Sequence, residues 1–116
     1  MNEPTEEQKK RLWEWCGFAR YERQDPHWKD MRWVLVYPDK SWSFDEENWL
    51  PIDLNNLFKW AVPKLDYAEI SYDSAEGIPQ TYFATVVLEG KGYTAGDTTD
   101  PALALFWAIY KVMEAK

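Results

Sequence analysis

The chain has 116 residues, 46% of them hydrophobic, which is enough for one globular domain with its own core. Its formal charge of −7 argues against sequence-independent binding to a phosphate backbone, whose usual footprint is a basic face. A single cysteine, Cys16, excludes an internal disulfide or a cysteine metal cluster. The start MNEPTEEQKKR lacks the apolar core of a signal peptide, and no apolar run reaches the length of a membrane span, so a cytoplasmic protein is expected.

Thr5 and Gln8 have the spacing of a capping box, predicting a helix from Glu6 to about Cys16 that Gly17 ends, with Leu12, Trp15 and Cys16 as its buried stripe. Alternation over Phe18 to Arg23 and an extended run over Lys29 to Tyr37, separated by the turn signal Asp25-Pro26, read as a hairpin. In the second run Trp33, Leu35 and Tyr37 share one face and Val34 and Val36 the other, so a strand covered on both sides is expected. Pro38 to Pro51 reads as a loop rich in Asp, Glu, Asn and Trp.

Asp53 then caps a helix carrying Leu54, Leu57, Phe58 and Ala61, which Pro63 ends or kinks. Tyr67 to Tyr72 reads as a strand, Ser74 to Pro79 with Gly77 as a turn, Gln80 to Leu88 as a second doubly apolar strand, and Gly90-Lys91-Gly92 as the turn into a short strand at Tyr93. The last helix, Pro101 to about Met113, is capped by Thr99 or Asp100 and carries one charged residue, Lys111. A helix apolar all round needs partners on more than one side. The expected fold is therefore α+β, a single domain over 1–116, in the order α-β-β-α-β-β-β-α. A mostly antiparallel sheet lies between helices in a three-layer α/β/α sandwich.

Three segments together resemble one family. Leu12-Trp13-Glu14-Trp15-Cys16-Gly17-Phe18, Leu50-Pro51-Ile52-Asp53-Leu54-Asn55-Asn56-Leu57 and Asp100-Pro101-Ala102-Leu103-Ala104-Leu105 are similar to the small bacteriophage and prophage proteins of the phage ABA sandwich domain family. That resemblance implies phage or prophage origin, a bacterial host cytoplasm and the α/β/α fold, and transfers no catalytic residue. Residues 53–115 are also similar in their αβββα order to a double-stranded RNA-binding domain. That module grips phosphates with lysines where this chain reads Thr98-Thr99-Asp100-Pro101-Ala102, so no nucleic acid polymer is expected as a partner.

No catalytic or metal constellation stands out. His27, the only histidine, lies beside Pro26 in a turn and reads as exposed to solvent, and Cys16 reads as a small core residue. Asp45, Glu46, Glu47 and Asp53 lack the spacing of a calcium loop and form either a solvated loop or an acidic surface steered to a basic cleft. The cationic and aromatic set Arg20, Arg23, His27, Trp28, Lys29 and Arg32 suits a small anionic, planar ligand, because guanidinium pairs with phosphate while a ring stacks on a base.

Eight Trp, seven Tyr and five Phe exceed what packing demands, and Trp42, Trp49 and Trp60 join the acidic residues as a partner surface. Two functions follow. One is a non-enzymatic phage binding protein, a counter-defence factor that sequesters a nucleotide immune signal. The other is an acidic, DNA-mimicking inhibitor of a host defence nuclease. Either is expected to need no cofactor and to form a homodimer or larger assembly.

Overall fold

The computed structural model describes residues 3–24, 31–44, 49–73, 81–97 and 100–115. The turn at Asp25-Pro26, the residues His27, Trp28 and Lys29, the acids Asp45, Glu46 and Glu47, the turn Ser74 to Pro79, and Thr98-Thr99 lie outside the described residues. The fold is α+β, with two three-stranded sheets, β1-β2-β3 and β4-β5-β6, whose pairings are all antiparallel. The chain divides into two compact units, 4–50 and 51–116.

In the first unit α1 spans Glu6–Cys16. The Thr5 side chain accepts from the Gln8 N–H at 3.2 Å, and the Thr5 N–H donates to Gln8 Oε1 at 2.8 Å, which completes the capping box. Gly17, at φ 105°, ends the helix. Its N–H donates to the Glu14 carbonyl and that of Phe18 to the Trp13 carbonyl, a Schellman motif whose apolar clasp is the edge contact of Trp13 with Phe18 at 5.3 Å. That clasp changes the expected stripe. Leu12, Trp13 and Cys16 are buried and Trp15 is only half-buried, because the Trp13 indole also donates to the Leu50 carbonyl at 2.9 Å.

β1 (Ala19–Gln24) pairs with β2 (Met31–Val36), and β2 with β3 (Trp42–Phe44), a strand inside the expected loop. The link is a three-residue hairpin. Lys40 N–H donates to Tyr37 O and Tyr37 N–H to Ser41 O, and Lys40 takes the left-handed position at φ 74° after Pro38-Asp39. Val34 and Leu35, which point to opposite faces, are both buried, so this strand is covered on both sides at its centre.

In the second unit Asp53 caps α2 (Leu54–Asn56) by accepting from the Asn56 N–H at 2.7 Å. The helix then widens into a π segment over Leu57–Ala61, with Val62 N–H donating to Leu57 O, and tightens into a 3₁₀ turn over Val62–Lys64. Pro63 is the cause we assign: it has no N–H for the Lys59 carbonyl, and its ring would press on that carbonyl in a regular turn. Leu57 and Ala61 are buried as a result, while Phe58, expected in the stripe, is exposed.

β4 (Tyr67–Asp73), β5 (Thr81–Leu88) and β6 (Lys91–Asp97) form the second sheet. β5 and β6 join through Glu89 and Gly90, both at positive φ (55° and 79°), so the turn sits one residue earlier than Gly90-Lys91-Gly92 and β6 is longer than expected. α3 (Pro101–Glu114) packs on β5 and β6 and on the π segment. Asp100 caps it through the Ala102 N–H at 2.8 Å, with Pro101 at its first position. Ala84, Val86 and Ala95 beneath the helix are buried, as are Ala102, Ala104, Leu105, Phe106, Ala108, Ile109, Tyr110 and Val112 on it.

The other face of this sheet is open. Register places Tyr67, Glu69 and Ser71 of β4 beside Val87, Thr85 and Phe83 of β5 and Gly92, Thr94 and Gly96 of β6. Tyr67, Glu69, Ser71 and Thr94 are exposed, as is Phe83, whose ring lies against Gly96. Thr85 and Val87 on this face are half-buried, so the second strand expected to be apolar on both sides has fully buried residues on one face only, and helix on sheet describes this unit.

Candidate ligand-binding surface

The described part of the basic and aromatic set lies on the β1-β2-β3 sheet. Arg20 is register partner of Leu35 and Glu22 of Trp33, so Arg20, Glu22, Trp33 and Leu35 occupy one face. Arg20 is diagonal to Trp33, within the reach of a long side chain. Its guanidinium carbon stands 4.5 Å from the centre of the Trp33 ring, its Nε is buried, and Trp33 keeps 39% of its surface exposed. A cation over an indole face is held by the ring quadrupole, a contact worth about 0.5–1 kcal/mol where water has access. The charge is thereby fixed in place at the edge of an aromatic platform. Glu22, exposed across the ladder from Trp33, brings a negative charge to the same face.

Arg23 and Arg32 are register partners in the same ladder, and Arg23 lies three positions along β1 from Arg20. Of the six residues expected in one ligand set, Arg20 is placed beside Trp33, Arg23 and Arg32 pair with each other in the ladder, and His27, Trp28 and Lys29 lie outside the described residues. Tyr21 and Trp42 are each about half exposed (47% and 49%). Trp49 is half-buried, and Trp60, also half-buried, lies under the Lys59 ammonium at 5.0 Å.

No known protein family, curated protein or solved structure matches this chain. Its functional reading rests on its own geometry.

Among the described residues no group of three or more His, Cys, Asp or Glu side chains is placed to hold a metal ion, and the Cys16 thiol is buried. No described helix is long and apolar enough to cross a membrane. A shallow cavity of about 270 Å³ opens where the β5–β6 turn meets the end of α3, lined by Leu88, Glu89, Lys91, Tyr93, Val112 and Ala115. It is smaller than most small-molecule sites. On the open face of the second sheet, Tyr67 donates its phenol to Glu69 Oε2 at 2.5 Å. This bond, with the adjacent negative charge, raises the tyrosine's pKa above its usual 10.0.

Trp33 is the residue that sequence reading missed. It sits in an apolar alternation that reads as core, and only the hairpin register, which sets Glu22 opposite it and Arg20 diagonal to it, reveals a platform. The alternation of Arg20 and Glu22 on the facing strand was the available signal.

Proposed function

We propose that this chain is a non-catalytic binding protein that takes a small, anionic, planar ligand on the Arg20–Trp33 face of its N-terminal sheet. In the counter-defence setting suggested by its phage-like segments, that ligand is a nucleotide signal of the host. The observation that supports this reading is the guanidinium of Arg20 held 4.5 Å over the partly exposed Trp33 ring. Guanidinium groups pair with phosphate through two N–H donors, and a partly exposed indole suits stacking on a base. The net charge of −7 makes a fixed local cation the necessary element, since the chain as a whole repels an anion.

Titration calorimetry against cyclic dinucleotides and mononucleotides tests it, with tryptophan fluorescence as a second readout. Saturable binding is expected, weakened about tenfold by Arg20→Lys, which keeps the charge but loses the paired donors, and further by Trp33→Ala. Absence of saturable binding to any of these ligands refutes the reading. So does binding that both substitutions leave unchanged while circular dichroism shows the native fold.

A further inference from the structure

A sheet edge exposes unpaired N–H and C=O groups, and proteins normally blunt such edges with basic residues, short strands or covering side chains. Three of the four described edge strands are treated this way. β3 has three residues, and β1 carries Arg20 and Arg23. On β6 the outward groups follow from register. The two-residue turn at Glu89-Gly90 makes Leu88 and Lys91 the closing hydrogen-bonded pair, so Tyr93 and Ala95 bond inward to β5, and Gly92, Thr94 and Gly96 point out. The Thr94 carbonyl at the centre of that edge accepts from Lys111 Nζ at 2.7 Å, so the one charged residue in the middle of α3 is spent on closing it.

β4 is the least protected of the described edges: its charges, Glu69 and Asp73, are acidic, and their backbone groups bond inward to β5. It runs seven residues without Pro, Lys or Arg, packs chiefly on β5, and has no fully buried residue. By the same alternation Tyr67, Glu69, Ser71 and Asp73 bond inward to β5, and Ala68, Ile70 and Tyr72 turn their N–H and C=O groups outward. α3 lies over β5 and β6, and leaves Ile70 half-buried and Tyr72 49% exposed on the helix side of this strand.

We propose that the β4 edge pairs with β4 of a second copy of this chain, antiparallel about a two-fold axis at Ile70, to form a continuous six-stranded sheet. The strand is complementary to itself in that register. Ile70 meets Ile70, and Tyr72 of each copy lies over Ala68 of the other, large against small. The acids fall opposite uncharged residues: Glu69 opposite Ser71, and Asp73 opposite Tyr67. Pairing uses all three outward residues of each strand and covers the Ile70 and Tyr72 side chains that α3 leaves bare. This interface is independent of the Arg20–Trp33 surface.

Sedimentation equilibrium of the full chain is expected to show a reversible dimer. Ser71→Glu, at an exposed position, sets Glu against Glu69 at two symmetric places and weakens the dimer about tenfold. Adding Glu69→Lys to Ser71→Glu places opposite charges at both places and restores it. With oxidised glutathione, Ile70→Cys is expected to give a disulfide-linked dimer, because paired Cα atoms at such a site stand about 5.5 Å apart, whereas Tyr72→Cys gives none. The buried Cys16 does not compete. A strict monomer overturns the proposal, as does a dimer indifferent to Ser71→Glu, or a natively folded double variant that fails to regain association.

Discussion

Replacing Trp13 with Phe tests the account of the first unit, because this residue joins the end of α1 to the chain at Leu50. Three terms add. The hydrogen bond from the indole N–H to Leu50 O, 2.9 Å long, is lost, which costs about 1 kcal/mol net. Phe buries roughly 40 Å² less apolar surface, about 1 kcal/mol at 25 cal/mol per Å². A void of roughly 40 Å³ left by the missing ring adds up to ~1 kcal/mol if the surroundings do not close on it. The edge contact to Phe18 at 5.3 Å survives in part, since a phenyl ring can keep it. Trp13→Phe should therefore destabilise this unit by about 2–3 kcal/mol, and Trp15→Phe, at a half-buried position, by under ~1 kcal/mol. Urea unfolding followed by far-ultraviolet circular dichroism gives both numbers with the slope held common. Equal losses for the two variants, or a loss below ~0.5 kcal/mol for Trp13→Phe, would refute the view that Trp13 rather than Trp15 anchors this core.

Lys40→Gly should raise stability by about 0.5–1 kcal/mol, since Lys40 holds a left-handed conformation at φ 74° in the β2–β3 hairpin that glycine adopts without strain; a lowered urea midpoint would contradict it. Asp100→Ala should cost about 1 kcal/mol and Asp100→Asn much less, because the cap needs an oxygen to accept from the Ala102 N–H; hydrogen exchange at the first turn of α3 measures both. The raised pKa of Tyr67 means that the fold favours its neutral phenol. Its contribution to stability is complete below the ordinary tyrosine value near 10 and is lost as pH rises through the higher folded value. Ultraviolet titration should show late titration of Tyr67, assigned by its loss in Tyr67→Phe, that Glu69→Gln moves back towards 10, and a titration unmoved by that change would rule out the carboxylate as the cause.

Features set by a few adjacent residues were readable from the sequence. The capping box at Thr5 and Gln8, the stop at Gly17 and the cap at Asp53 are where the spacing put them, and Asp100 is one of the two caps expected for α3, because each depends on backbone groups within one turn. Features set by register were not. Whether Phe83, Thr85 and Val87 face a core or water depends on what lies above them, and alternation is the same in both cases. The meeting of Arg20 with Trp33 needed the pairing of β1 with β2. β3 escaped notice because three residues carry no period, and the π segment because Pro63 alters hydrogen bonds several positions before it.

The apolar last helix shows how these two kinds of information combine. Its composition demanded cover on more than one side, and the structure supplies it from β5, β6 and the π segment, which leaves Leu103 and Trp107 only half-buried. Little of α3 then remains free to bind a second chain. An expectation of self-association drawn from abundant aromatics must therefore find its surface elsewhere. The same helix decides where: by reaching the Thr94 carbonyl with Lys111 it closes the β6 edge, and by lying over β5 and β6 it leaves β4 uncovered. If that division matters, Lys111→Met should open the β6 edge and produce larger, strand-mediated assemblies, whereas Ser71→Glu should reduce assembly. An identical response of association to both changes would mean that the two edges are not distinguished in the way the hydrogen bond to Thr94 implies.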